Sequence, residues 1–302
     1  MEITADYIEC NVVNYENCIG METNYSDFPM VYRPGINTIR LGVYIDDRMD
    51  RRRAFGYIRQ LNEIFQKNGI QIHMEAAFVE PVDIETTYDQ LGNIELAYDL
   101  KDWHQYSPFY EKAWLVDKYE ADMVHVMLDN NQDWEVCGAG WSWKGQGMTA
   151  GMTACYSKND IATVDPEQKT STEYIFAHEI GHQLGLAHAK DDEAPGTPAF
   201  KLGHGFIASD GTGTIMSYAK DRVPYYANCW VEIDGIRYGD NEHRADMAIN
   251  AAAPTISLIY ENDGPYDFPV FDNEIGSDHT VHPINPLVEV RFKELLDLVV
   301  VH

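Results

Sequence analysis

Residues 178–188 read HEIGHQLGLAH, placing three imidazoles and one carboxylate in a stretch whose other positions are those of a buried helix. His178 and His182 are four apart, so on a helix their rings stack on one face about one turn apart and present nitrogens to a single ion. Glu179 points to a neighbouring sector, too far round to be the third ligand but close enough to hydrogen-bond a water held by the ion, which suits a general base. Gly185 has no Cβ and takes the positive φ that ends a helix, after which the chain turns back and brings His188 to the ion from another direction. Three neutral imidazoles leave one coordination position open for water, the arrangement of catalytic rather than structural zinc. A bare HExxH arises by chance in many helices. HExxHxxGxxH, in contrast, specifies five positions in eleven, and buried histidines without a partner would each cost on the order of a few kcal/mol of desolvation. The spacing therefore predicts one catalytic zinc ion held by His178, His182 and His188.

The elements that must position these groups follow from periodicity. TIRLGVYI (38–45) alternates as a strand does, and 51–69 places Phe55, Ile58, Leu61, Ile64 and Phe65 at helical spacing before stopping at Gly69. IQIHMEAAFVE (70–80) restores the alternation, 107–121 reads as a second helix, and DMVHVML (122–128) is a continuous apolar strand. This β-α-β-α-β order predicts an α/β fold with crossover helices. CGAGWSW (137–143) reads as an edge strand that an extended ligand pairs with, and the Gly- and Met-rich stretch to Cys155 as a loop. Thr170 and Glu173 have capping-box spacing, which starts the histidine-bearing helix at Ser171. Residues 1–37 form an irregular lead-in or propeptide remnant, 38–260 the catalytic domain, and 261–302 an extension that docks back on it.

Composition narrows the partners. With 22 basic and 49 acidic residues the formal charge is −27, which repels nucleic-acid phosphates and anionic lipid headgroups. No run of eighteen apolar residues offers a membrane span, and MEITADYIEC lacks the basic segment and apolar core of a secretory signal. The five cysteines contain no CxxC pair, which argues against a cysteine zinc site. Cys137 and Cys155 flank the expected edge strand and suit a disulfide, with Cys10–Cys18 as a second pair. Loop carboxylates such as Asp191, Asp192 and Asp210 leave calcium open as a second ion, although they belong to no DxDxDG-type loop and read as solvated surface. His73, His104 and His125 read as structural histidines, and His204 as one that braces the metal loop through a hydrogen bond.

The eleven-residue pattern resembles the signature of the metzincin zinc peptidases, with His178, Glu179, His182, Gly185 and His188 at every specified position. In that clan a turn bearing a methionine follows the third histidine and sits beneath the metal, and TIMSYA (214–219) supplies Met216. Tyr218 stands where astacin-like and serralysin-like members carry a tyrosine that approaches the zinc or the developing oxyanion, although a tyrosine buried under the site is an equally natural reading. The layout over 38–260 is most similar to bacterial reprolysin-like (adamalysin-type) members, apart from a long insertion at 158–172 and an unmatched terminal forty residues.

The resemblance implies a twisted, mostly parallel sheet with an antiparallel edge strand over the cleft, and a secreted or cell-delivered zinc endopeptidase acting on proteins or peptides. Zinc would lower the pKa of its bound water, and Glu179 would take the proton. Two alternatives stand beside it: a zinc hydrolase of a non-peptide bond, and a non-catalytic binding module on the same scaffold, which the intact Glu179 disfavours.

Overall fold

The computed structural model describes residues 35–83, 112–129, 137–145, 148–154 and 174–263. Outside these lie the lead-in before Gly35, residues 107–111 of the expected second helix, the insertion at 158–172, the capping-box pair Thr170 and Glu173, and the chain beyond Asp263. The two expected disulfides also fall there, because Cys10, Cys18 and Cys155 do; Cys229 is buried and not disulfide-bonded.

Strand β1 (Asn37–Asp46) lies inside the sheet and is buried on both faces over its last six residues, which is why Leu41–Ile45 carry no charged side chain. Helix α1 (Arg52–Lys67) crosses to β2 (Ile72–Val82), parallel to β1, burying Ala54, Ile58, Leu61, Ile64 and Phe65. Phe55 is only half-buried, with Ala54 taking the core position instead. Gly69, at φ +67°, lets the chain leave α1, and the Asn68 side chain closes its last turn by donating to the Ile64 carbonyl at 2.7 Å. The short helix α2 (Trp114–Lys118) leads into β3 (Met123–Met127), which is wholly buried and parallel to β1.

The sheet order is β2-β1-β3-β5-β4, in which β5 is Thr149–Thr153 and β4 (Gly138–Gly140) is the antiparallel edge strand, every other pairing being parallel. This is the α/β sheet the sequence predicts, with one correction. The Gly- and Met-rich stretch is no loop throughout: Thr149–Thr153 forms β5, a buried interior strand between β3 and the edge. Five residues, TAGMT, buried on both faces carry no alternation, and a central glycine reads as a breaker.

Core side chains fill both faces of the sheet. One cluster joins α1, the metal helix and a third long helix, and the other packs Tyr44, Phe78, Leu115 and Val126 on the opposite side. The metal helix α3 (Ile175–Gln183) begins beyond Tyr174 and lies against β4 and β5. After it come a small hairpin, β6 (Glu232–Ile233) with β7 (Ile236–Arg237), and two helices, α4 (Ala245–Ile256) and α5 (Ile259–Asp263). No helix among the described residues is long and apolar enough to cross a membrane.

Helix α4 is buried along its whole length, and its first turn carries an ion pair between Arg244 and Asp246, at 2% and 0% side-chain exposure, joined twice at 2.9 Å. Asp246→Ala would leave that guanidinium buried without its carboxylate. It is expected to lower unfolding stability by about 3–5 kcal/mol, read as a drop in the denaturation midpoint; a change within about 0.5 kcal/mol, as at an ordinary surface site, would contradict the burial.

Candidate metal centre

The histidine segment folds as its spacing demands. On α3, Phe176, Ile180 and Gln183 are buried, while His178 and His182 come together on another side with ring centroids 4.9 Å apart. The helix ends in a Schellman turn: Gly185, at φ +90°, donates to the His182 carbonyl at 2.8 Å, and Leu186 donates to the Gly181 carbonyl at 2.9 Å. The returning chain is held by three backbone bonds, Ala187 to Gly203, Gly205 to Ala187, and Ala189 to Met216, each 3.0 Å, so His188 rests on a fixed support. Its ring centroid lies 5.1 Å from that of His178 and 4.6 Å from that of His182.

The hydrogen bonds assign the tautomers. The Nδ1 of His178 meets the Ile215 carbonyl at 2.7 Å, that of His182 the Leu186 carbonyl at 3.0 Å, and that of His188 the Ala194 carbonyl at 2.6 Å. A carbonyl oxygen only accepts, so each Nδ1 carries the proton and each neutral ring keeps a bare Nε2. The Nε2 atoms of His182 and His188 face each other at 2.9 Å with no proton between them, and one ring nitrogen from each of the three histidines falls within 4.8 Å of the others. Burial, then the neighbouring histidines and Arg222, hold His178 well below the usual imidazole range. Burial and His188 bring His182 to about 4, and burial lowers His188. Three neutral rings with convergent lone pairs are a donor set for a borderline cation, so these residues fit zinc.

Glu179 is buried beside them, and burial raises its carboxyl to about 8 against the lowering effect of Arg222. It faces the edge strand. A Cβ at Gly138 would lie 2.5 Å from Glu179 Oε1, and one at Gly140 would lie 2.8 Å from the Glu179 carbonyl and from His182 Cβ. Met216 is fully buried, and its sulfur packs on Gly181 between the two helix histidines, while its carbonyl accepts from Ala189. His204 braces the loop, as its position suggests, with Nδ1 donating to the His188 carbonyl at 2.8 Å. Tyr218 is 57% exposed, so the reading of a tyrosine buried beneath the site is corrected; its ring stands 4.2 Å from that of His188 on the wall of a cleft of about 610 Å³.

Residues 60–238, more than half the chain, match the family described as metallo-peptidase family M12B, reprolysin-like. The chain belongs to that family. Among solved structures, this reprolysin-like chain is similar to a zinc-dependent peptidase from Methanocorpusculum labreanum, at 12% identity and a TM-score of 0.28 over 50% of this chain and 84% of that one. It is also similar to metalloproteinase-II from Bacteroides fragilis, at 13% identity and a TM-score of 0.30 over 62% of this chain and 55% of the other. No curated protein matches the chain.

Three features of this reprolysin-like site are invisible in the motif. Arg222 donates through Nη1 to the Ile215 and Ser217 carbonyls, both at 3.4 Å, so it shares one acceptor with His178 and sets a positive charge near Glu179. Asp192 accepts from the backbone N–H of Ala189 and of Tyr218, both at 3.1 Å, tying the third histidine's loop to the methionine turn. Gly138 gives the Glu179 carboxylate its room. Lone residues far from HExxH carry no spacing signal, and a glycine in GAGW reads equally well as a turn.

The last feature is testable. Gly138→Ala should displace the Glu179 carboxylate without touching the histidines, reducing kcat by about tenfold, the cost of roughly 1.4 kcal/mol in the barrier, with metal content unchanged. Wild-type kcat in that variant would show that the carboxylate does not depend on the space.

Proposed function

We propose that this metallopeptidase is a zinc endopeptidase in which His178, His182 and His188 hold the ion, Glu179 is the general base, and an extended peptide lies along β4. The observation that carries the reading is the set of three Nδ1–carbonyl bonds, which turn three bare Nε2 atoms toward one point beside a buried carboxylate. Support for a peptide substrate comes from the edge strand. Among the described residues β4 ends the sheet and pairs only with β5, so its outer edge offers backbone donors and acceptors to a further strand along the cleft that also contains Glu179.

Zinc, when bound, supplies Lewis acidity that acidifies water and polarises a carbonyl. The chain's own groups do the rest. The carbonyl tethers keep the three rings neutral and aimed, so no proton competes for Nε2. Glu179, held between α3 and Gly138, accepts a proton from the attacking water and returns it to the leaving amine, and a neighbouring dication favours the ionised carboxylate that burial alone would disfavour. Tyr218, on the cleft wall, is the donor nearest the developing oxyanion in this reading.

The deciding experiment is hydrolysis of a quenched internal peptide and of casein, with and without chelator. Turnover should vanish on chelation and return on addition of about one zinc per chain. Zinc-independent cleavage, or zinc binding with no cleavage of any peptide, would overturn the assignment.

A further inference from the structure

We propose that Gln183 and His125 are positioning residues of the metal centre, forming with Thr153 a buried hydrogen-bond chain that fixes the rotation of α3 and thereby the aim of His182. The inference rests on the reading of His182 as a metal ligand. Gln183 follows His182 directly and is fully buried on the sheet side of the helix, where an amide is a costly choice unless every atom is paired.

The pairing has a direction. Gln183 Nε2 donates to the Val124 carbonyl on β3 at 2.8 Å, and since a carbonyl cannot donate, Oε1 is the atom turned to His125, 2.8 Å from its Nδ1. His125 therefore carries its proton on Nδ1, leaving Nε2 to accept from the Thr153 hydroxyl on β5 at 2.9 Å. Thr149, also on β5, donates to the Gln183 backbone carbonyl at 3.3 Å, satisfying one of the carbonyls that a helix end leaves open. Phe176, two turns earlier on the same side of α3, places its ring edge-on against His125 with centroids 4.9 Å apart. Burial holds His125 at about 4, which keeps the ring in the neutral form that this one-way chain needs.

The chain requires its own clearance. A Cβ at Gly151 would lie 2.6 Å from Gln183 Oε1 and 3.1 Å from His125 Nδ1, so the glycine in TAGMT exists to admit the amide. Apolar packing alone lets a helix roll by a fraction of a residue against a sheet, whereas two directed bonds from the Gln183 side chain to β3, continued through His125 to Thr153 on β5, do not. Successive helical residues are about 100° apart, so locking Gln183 against the sheet also locks His182, whose Nδ1 bond to Leu186 then sets the final ring angle.

The test uses the full chain and two variants. Gln183→Leu combined with His125→Leu removes the two side chains that pair with each other, so neither is left as an unpaired buried polar group as it would be after one deletion alone. Gly151→Ala keeps every donor and acceptor but crowds the amide, and it decides the question if the double variant fails to fold.

Zinc affinity is measured by competition with a chromogenic chelator, and the His182 tautomer by long-range ¹H–¹⁵N NMR of the metal-free protein. Both variants should hold zinc at least tenfold more weakly than wild type, with His182 no longer held as the Nδ1-protonated tautomer, while thermal midpoints of the double variant stay close to wild type. Affinity within twofold together with an unchanged His182 signal would overturn the proposal and leave the chain as ordinary core packing. Should the wild-type protein bind no zinc, the ligand reading fails on that measurement alone, and the His182 tautomer still reports on the hydrogen-bond chain.

Discussion

Glu179→Gln is expected to keep about one zinc per chain and to lose about 10²- to 10⁴-fold in peptide turnover, the range that a positioned acid–base group contributes. The Glu179 carboxylate abuts Gly138 and is not one of the three clustered donors, so its removal takes nothing from the donor set. Glutamine fills the same space, so the backbone of β4 and the packing of α3 need not move. What it lacks is the ability to accept a proton from water and hand it to an amine. Folding should be unharmed, because a carboxylate whose charge burial disfavours is replaced by a neutral group. Zinc content by atomic emission and kcat by a quenched peptide separate the two effects. Full turnover in a zinc-loaded Gln variant would transfer the base to another residue.

The second large effect lies at His182. His182→Ala removes one of the two nitrogens that face each other at 2.9 Å, and with it the tether to Leu186 that joins the ligand to the end of its own helix. The remaining two rings sit on different supports, His178 against Ile215 and His188 against Ala194, and form a poor bidentate site. Zinc affinity should fall by more than the about 10–100-fold that loss of an outer-shell partner costs, and peptide turnover should disappear with the metal. Far-ultraviolet dichroism should be unchanged, since His182 lies at the cleft and contributes little to the core. A variant that retains stoichiometric zinc would mean that the ion is held elsewhere.

The sequence disclosed those parts of the molecule in which one local rule acts alone. Strands β1 and β2 and helix α1 follow from period, β3 from a continuous apolar run, and HExxHxxGxxH places its three rings because helix pitch and one glycine suffice. Two other elements buried on every side were hidden. Strand β5 has no polar face to alternate with. Helix α4 has none either: ADMAINAAAPTI is buried throughout and contains Pro254, so neither an amphipathic stripe nor a clean propensity marks it. At the site, Arg222, Asp192, Gly138 and the Gln183–His125 pair act across dozens of residues of sequence, and their meaning exists only once the sheet has brought them together.

The reversal at Gly185 has a last consequence. The peptide groups that terminate α3 also furnish the oxygen on which the His182 ring hangs, and they start the strand-like return that delivers His188. Punctuation and metal geometry are thus written in the same few atoms: inserting or deleting a single residue between His182 and His188 would misalign two ligands at once, so this span is fixed in length.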